Sequence, residues 1–261
     1  GAATSGPYGG AAVGRRGGVA VGPHGGAVAG GSRVAVGHAT GYVSPTYMRT
    51  SAAAVRTARP YSYFTPAWYG THAAAWVAPR WVAPVWVAPA WGTVSSFVGV
   101  TAPPANYEYG GTVVINDNSV YVNGEPAGSA ADYAAQATAI ADAGRAAQPA
   151  ETDEWQPLGV FGMIQEGEEV AQRIFQLGVN KAGVVRGNYY DAVADNTLPV
   201  HGSVDKKTQR VAWSIGEKKD IVFETGLSNL TKDEGTVLVH YGKDRTQQMM
   251  LVRLEEPKDK K

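Results

Sequence analysis

A tryptophan repeat punctuated by proline constrains the fold of this chain more than any other feature. The tetrapeptide Trp-Val-Ala-Pro occurs at 76–79, 81–84 and 86–89, and a further tryptophan follows at Trp91. A proline every five residues removes backbone donors and fixes φ, which excludes a continuous helix and a central strand. The repeat therefore predicts an extended, polyproline-like segment or a run of turns.

The indoles around this repeat need to be covered. Each tryptophan buries roughly 150–250 Å² when packed, and several of them in water would form an aggregation-prone patch. We expect them to be covered by the chain's own body or by a neighbouring molecule, and we predict them as contact residues. An aromatic track also suits stacking on sugar rings, so glycan binding is the alternative. The tryptophans concerned are Trp68, Trp76, Trp81, Trp86 and Trp91.

The N-terminal segment is rich in glycine. Residues 1–41 contain 14 of the 33 glycines, which separate short apolar triplets at 19–21, 27–29 and 34–36 that are candidate strands. Small side chains bury too little area to offset a backbone ordering cost of roughly 1–2 kcal/mol per residue, so this arm needs a partner. Glycine also permits the close backbone approach that strand addition requires. The predicted contact residues are Val19, Val21, Val28, Val34 and Val36.

Charge is divided unevenly along the chain. Residues 1–107 contain seven Arg and no Lys, Asp or Glu, whereas the rest holds 16 of the 23 basic residues and all 23 acidic ones. A basic arm can dock on its own acidic body or on that of the next copy. Seven Arg over a hundred residues is too thin a charge density to predict a nucleic-acid partner.

Neither disulfides nor a membrane helix are predicted. The chain has no cysteine, so its stability must come from core burial or from assembly. No stretch of about 20 residues is apolar and free of proline and charge, which argues against a transmembrane segment. There is no signal-peptide pattern, and we expect Gly1 to be a processed end if the protein is exported.

The pattern changes to regular secondary structure after residue 107. Residues 112–116 and 119–123 flank Asp117-Asn118 and predict a hairpin. Residues 129–147 predict a helix capped by Ser129. One apolar stripe of this helix consists of Tyr133, Ala137, Ile140 and Ala141.

Residues 155–254 alternate apolar and polar side chains in eight segments that are separated by turn residues. The predicted strands are 157–165, 171–179, 183–190, 199–205, 209–216, 220–225, 235–241 and 247–254. Eight short antiparallel strands in sequence predict an up-and-down barrel or a strongly curved sheet. The fold class is therefore mainly β, an eight-stranded antiparallel meander or barrel with one helix and a hairpin, preceded by an extended arm. The predicted boundaries are 1–41, 42–106, 107–154, 155–254 and a charged tail at 255–261.

No residue pattern points to catalysis, a metal or a cofactor, and we predict that the protein is not an enzyme. His201 and His240 lie alone on predicted strands, where a satisfied structural histidine is the better interpretation. Asp191 and Asp195 flank a turn and are a weak calcium candidate. Asn229 begins a formal glycosylation sequon.

An eight-stranded barrel can also hold one small ligand. Trp155, Tyr189, Tyr190 and Trp213 are candidate wall residues for such a cavity. Aromatic side chains on strands more often form a core, and this is the expectation here.

Five short segments carry a family resemblance: Phe64–Tyr69 (FTPAWY), Glu154–Gly162 (EWQPLGVFG), Arg186–Asp191 (RGNYYD), Gly202–Gln209 (GSVDKKTQ) and Val239–Asp244 (VHYGKD). They resemble a set of planctomycete bacterial proteins that are labelled mu-protocadherin-like cell-surface proteins. The resemblance extends over most of residues 60–255 and includes a Gly-rich N-terminus. It implies export and a cell-surface or extracellular setting, and it implies no known activity.

The protocadherin label does not bring a calcium site with it. Asn116-Asp-Asn118 is similar to a fragment of the cadherin calcium linker, but Ser119 departs from that pattern. The tip of a hairpin explains these residues better.

Together these features predict a self-assembling structural protein of the cell surface or extracellular space. We expect a filament or fibril subunit whose N-terminal arm contacts neighbouring copies, with the chain itself as partner and no cofactor. The alternative is a surface module that binds a carbohydrate or a small ligand in its β-barrel.

Overall fold

The computed structural model of the chain describes residues 45–58, 62–116, 118–243 and 245–257, together with the backbone of four N-terminal strands. These strands form an antiparallel meander in sequence order, in which Ala3 pairs with Ala12 and Ala11 with Ala20. Two of the predicted triplets, 19–21 and 27–29, are thus strands, and the third, at 34–36, lies outside the described residues. The strands are β1 (Ala2–Gly6), β2 (Gly9–Gly14), β3 (Gly17–Val21) and β4 (Ala27–Ala29).

The sequence predicts one helix, whereas the described residues contain four α-helices, and three of them lie in the segment predicted to be extended. α2 begins at a proline, where Thr65 Oγ1 accepts the N–H of Trp68 at 3.3 Å. α3 ends at Gly99, whose φ of 76° is a left-handed C-cap. The Trp-Pro repeat between these two helices forms turns and bends, as predicted. The helices are α1 (Pro45–Ala58), α2 (Pro66–Thr71), α3 (Trp91–Val98) and α4 (Ala130–Ala146).

The predicted hairpin and the predicted helix are both present. β5 (Val113–Asn116) and β6 (Ser119–Val122) pair so that Asn116 faces Ser119, and β7 (Glu125–Ser129) adds a third strand. Asp117 of the predicted turn lies outside the described residues. Ser129 caps α4, since its Oγ accepts the N–H of Asp132 at 3.0 Å.

The eight predicted strands form a closed antiparallel barrel. Each strand pairs with its neighbours in sequence, and the last returns to the first, with Met250 opposite Ile164. The observed ends differ from the predicted ends by a few residues. The strands are β8 (Trp155–Ile164), β9 (Arg173–Asn180), β10 (Val184–Asp191), β11 (Asn196–Asp205), β12 (Arg210–Ile215), β13 (Ile221–Gly226), β14 (Glu234–Tyr241) and β15 (Arg245–Arg253).

The interior of the barrel is a packed apolar core. Every second side chain of each strand points inward, and Phe175, Trp213 and Phe223 pack against one another at the centre of this core. At one end, Val94 and Val98 of α3 join this core together with a short 3-10 helix, Leu227–Thr231. That end of the barrel is therefore closed by the chain itself.

Most of the outer face of the barrel is covered as well. α1 packs on β14 and β15, α4 packs on β11 to β13, and the aromatic segment packs on β8 to β10. A strand that is covered on both faces buries the side chains of both faces, and every residue of β8 is accordingly buried.

Candidate functional site

The Trp-Pro repeat is fixed to the barrel by hydrogen bonds to its backbone. Asn188 of β10 is fully buried, and its side-chain amide forms two hydrogen bonds with the backbone of Trp76. Nδ2 donates to the carbonyl of Trp76 at 2.8 Å, and Oδ1 accepts the N–H of Trp76 at 2.7 Å. Further along, the N–H of Trp155 donates to the carbonyl of Arg80 at 2.8 Å, and Val82 donates to the carbonyl of Trp155 at 3.0 Å. The repeat thus follows the barrel like an irregular extra strand.

The indoles of the repeat face the barrel. Trp76 packs edge to face against Trp155, with ring centroids 5.0 Å apart, and against Trp81 at 5.6 Å. Trp81 lies over Gly178 of β9, where an added Cβ would come within 2.5 Å of the ring. The tryptophans were predicted to be covered either by the chain's own body or by a neighbouring molecule, and in the structure the barrel of the same chain covers them.

The other predicted tryptophans also lie on their own barrel. Trp68 is buried, stacked on His72 at a centroid distance of 4.0 Å and edge to face with Tyr190 at 5.6 Å. Trp91 is half-buried and packs against the core inside the barrel. Trp86 is also half-buried and packs against the apolar cluster between the barrel and the segments that cover it, which we call the outer core. Rings in this arrangement have little free face for stacking on a sugar.

The valines of the repeat point the other way. Val77, Val82 and Val87 are 57%, 42% and 58% exposed, and among the described residues the one other large hydrophobic side chain with such exposure is Val193. We call these three the valine row. The repeat therefore hides its aromatic residues and presents aliphatic ones at a regular spacing.

Among the described strands, the N-terminal sheet has two outer strands with one partner each. β1 and β4 each pair with one described strand, whereas every strand of the barrel pairs with two. Val19 and Val21 belong to β3 and Val28 to β4, and their side chains lie outside the described residues, as do Val34 and Val36 entirely. Backbone groups at a free edge can pair with a strand of another chain.

A buried charge network escaped the sequence analysis. Glu224, on the outer face of β13, is fully buried: its Oε1 accepts from Arg210 Nε and from the Tyr109 hydroxyl, both at 2.8 Å, and its Oε2 lies 2.9 Å from His240 Nε2. Burial alone raises a carboxyl pKa, but the guanidinium of Arg210 and the hydrogen bond from His240 lower the pKa of Glu224 to about 2. The carboxylate is therefore ionised at neutral pH.

Arg210 extends the network to α4. Its Nη1 donates to Gln136 Oε1 at 2.6 Å, its Nη2 donates to the carbonyl of Tyr133 at 2.9 Å, and the guanidinium lies 3.8 Å from the centre of the Tyr133 ring. The protein itself supplies the partners of these groups, and His240 is only 1% exposed. The network joins the barrel to α4, and His240 is a satisfied structural histidine, as predicted. For His201 the same prediction does not hold, because its buried Nδ1 has no hydrogen-bond partner among the described residues.

The candidate calcium residues are engaged in local hydrogen bonds. Asp191 Oδ1 accepts the backbone N–H groups of Val193 and Ala194 at 2.9 and 3.1 Å, and Asp195 Oδ1 accepts the hydroxyl of Tyr190 at 2.7 Å. Within the described ranges, no three His, Asp or Glu side chains come together as a metal would require.

The asparagine of the sequon is buried. Asn229 is 5% exposed and donates from Nδ2 to the carbonyl of Tyr107 at 2.8 Å, so its amide nitrogen is not available for glycosylation in the folded protein.

The four candidate wall residues lie on two sides of the barrel wall. Tyr189 and Trp213 face the barrel interior, whereas Trp155 and Tyr190 contact the aromatic segment outside.

Comparison of the chain with protein-family models, with curated proteins and with solved structures found no match. In the parts of the chain that are described, no helix combines the length and the apolar character needed to cross a membrane.

Proposed function

We propose that this chain is a self-assembling structural protein, a filament subunit of the cell surface or extracellular space, in which the N-terminal sheet pairs with that of a neighbouring copy. The observation that carries the proposal is the contrast between a barrel without edges and a Gly-rich sheet whose two outer strands, among the described residues, each pair on one side only. A chain that closes one sheet completely and leaves another open has a surface suited to strand addition.

The composition of the open edges supports this assignment. Proteins that avoid edge pairing place Lys, Pro or a bulge on the edge strand. β1 has none of these: its sequence is AATSG, and the first charged residue of the chain is Arg15, after β2. The edge therefore lacks the side chains that normally prevent pairing.

The valine row supplies a second contact surface for the same assembly. Its three side chains are exposed in a segment that is otherwise held tightly against the barrel, so their burial by a neighbour needs no rearrangement. At about 25 cal/mol per Å² their burial favours association, although area does not convert directly into affinity. The basic arm and the acidic body add attraction between copies.

Proline substitution in the edge strand tests the proposal. Neighbouring residues of a strand direct their N–H groups to opposite sides, so Ala3→Pro with Thr4→Pro removes one edge donor whichever way β1 faces. We expect the full-length chain to form concentration-dependent polymers in sedimentation and electron microscopy, and the double-proline variant to stay monomeric. The matched control, Ala3→Ser with Thr4→Ser, keeps both donors and should polymerise like the wild type.

Two results would contradict the proposal: a full-length chain that stays monomeric at all concentrations, or a double-proline variant that polymerises as well as its serine control. Circular dichroism of both variants checks that the barrel is folded. A monomer whose tryptophan fluorescence changes on adding an oligosaccharide would instead favour the glycan-binding alternative.

A further inference from the structure

The two ends of the barrel differ. α3 and the 3-10 helix close one end, but at the other end, which we call the mouth, a cavity of about 270 Å³ opens among the strand ends. Its floor is apolar and consists of Met163, Ile215, Phe223, Val239 and Met249. Since the rest of the interior is tightly filled, the mouth is where an apolar group could enter.

The rim of the mouth is polar and richer in donors than in acceptors. Arg173, Tyr189, Lys218 and Tyr241 can all donate, whereas Asp191 contributes the carboxylate. Oδ1 of Asp191 already accepts two backbone N–H groups, and its Oδ2 lies 3.5 Å from the Tyr189 hydroxyl, so Asp191 is the one anionic group that the donors of this rim outnumber.

Two of these donors are available. Lys218 is exposed and forms no ion pair with the described residues, unlike Arg173, which Glu168 holds at 2.6 Å. Burial raises the pKa of Tyr189 to about 12, so its hydroxyl keeps its proton at neutral pH. The hydroxyl has a single long contact, 3.5 Å to Asp191 Oδ2, and can turn to a ligand.

The volume limits what can bind. One water molecule takes about 30 Å³ in the liquid, so the mouth has space for about nine waters or a similar number of ligand atoms. Two methionines in the floor can adapt to an aliphatic or an aromatic body.

We propose that the mouth binds a small organic carboxylate, with its apolar body on the floor and its carboxylate at Lys218 and Tyr189. This inference is independent of self-assembly, because it depends on the barrel alone.

Methyl NMR with ¹³C-labelled methionine tests it, because the chain has four methionines and two of them line the mouth. Octanoate is the probe, and octanol and octylamine are the comparisons. We expect octanoate to shift the signals of Met163 and Met249 saturably, with a Kd below about 1 mM, which ligands of this size can reach. Met250 packs in the outer core and should not shift.

Lys218→Met tests the charge of the rim. We expect it to weaken octanoate binding about fivefold, as for an exposed ion pair, and to leave octanol unchanged. Lys207→Met is the matched control, because Lys207 is also exposed but lies in a turn at the closed end of the barrel.

Leu198 also lines the mouth, so Leu198→Trp tests the cavity itself by filling it, and this change should abolish the shifts from all three probes. The proposal is overturned if octanoate gives no saturable shift at Met163 and Met249, if octylamine binds as tightly as octanoate, or if Leu198→Trp leaves octanoate binding intact.

Discussion

Glu224 is a buried carboxylate whose partners come from three other parts of the chain. Arg210 lies on the preceding strand, His240 on the following one, and Tyr109 on the segment that leads into the three-stranded sheet. In a buried site each of these bonds is strong because water does not compete, and a missing partner leaves a costly unpaired group.

Replacing Glu224 by Gln should therefore destabilise the protein severely. The amide keeps the size of the side chain but leaves the buried guanidinium of Arg210 without its counter-charge, so we expect a loss of about 3 kcal/mol in the free energy of unfolding. Urea denaturation followed by circular dichroism measures it. Glu168→Gln is the control, since its pair with Arg173 is about one-third exposed, and it should cost less than about 1 kcal/mol.

This network could not be predicted from the sequence, although its strands could. Arg210, Glu224 and His240 are 14 and 16 residues apart, and each looks like an isolated polar residue in an alternating strand. They meet because of the register of the strands, in which Glu224 lies opposite Ala212 and Leu238. Arg210 and His240 are each two residues from one of these partners, so their side chains point to the same outer face as that of Glu224. The sequence did show one outward-facing polar residue on each of three successive strands. This pattern is equally typical of an outer face exposed to solvent, so it did not indicate a buried network.

At the scale of elements, the docking of α4 depends on the absence of a side chain. An added Cβ at Gly144 would lie 1.9 Å from the carbonyl oxygen of Gly202 in β11, so helix and strand backbones touch at this point. Around this contact, Arg186 donates from Nη1 to the carbonyl of Gly144 at 2.9 Å and from Nη2 to that of Ala147 at 2.9 Å. The C-terminal end of the helix is thereby held on the barrel.

Gly144→Ala should therefore push α4 off the barrel. Although alanine favours a helix, the overlap with backbone cannot be relieved by a side-chain rotation, and we expect a loss of about 2 kcal/mol in stability. Gly92→Ala in α3 is the matched control, because nothing lies within 4 Å of its added Cβ and the helix should gain up to about 1 kcal/mol. Thermal unfolding of the two variants should shift in opposite directions, and equal shifts would contradict this explanation.

The elements differ in how well their sequences predict them. Val211, Trp213 and Ile215 alternate with polar or small residues, and turn residues bound each strand, so the barrel was visible in the sequence. α2 and α3 were not, because both are short and lie beside prolines that argue against helix. Their caps, Thr65 and Gly99, are signals that a proline-rich context obscured. Of the four candidate wall residues only Tyr189 lines the mouth, and the sequence favoured a packed core for all four, because which strand ends stay open depends on where α3 packs.

For the molecule as a whole, the buried carboxylate predicts how stability changes with pH. The pKa of Glu224 is about 2 when folded and near 4.5 when unfolded, so its contribution is fully present above pH 4.5 and is lost as the pH falls towards 2. We expect the free energy of unfolding to fall more steeply over this range for the wild type than for Glu224→Gln. Urea denaturation at several pH values between 5 and 2 measures this, and parallel curves for the two proteins would contradict it.

The pairing of β15 with β8 has a consequence for the ribosome-bound chain. Because the first strand of the barrel is completed by its last strand, a nascent barrel keeps two unpaired edges until β15 has left the ribosome. A chain that ends before β15 would be an open sheet with two free edge strands, and such edges pair readily with other chains. Premature termination before β15 should therefore promote aggregation.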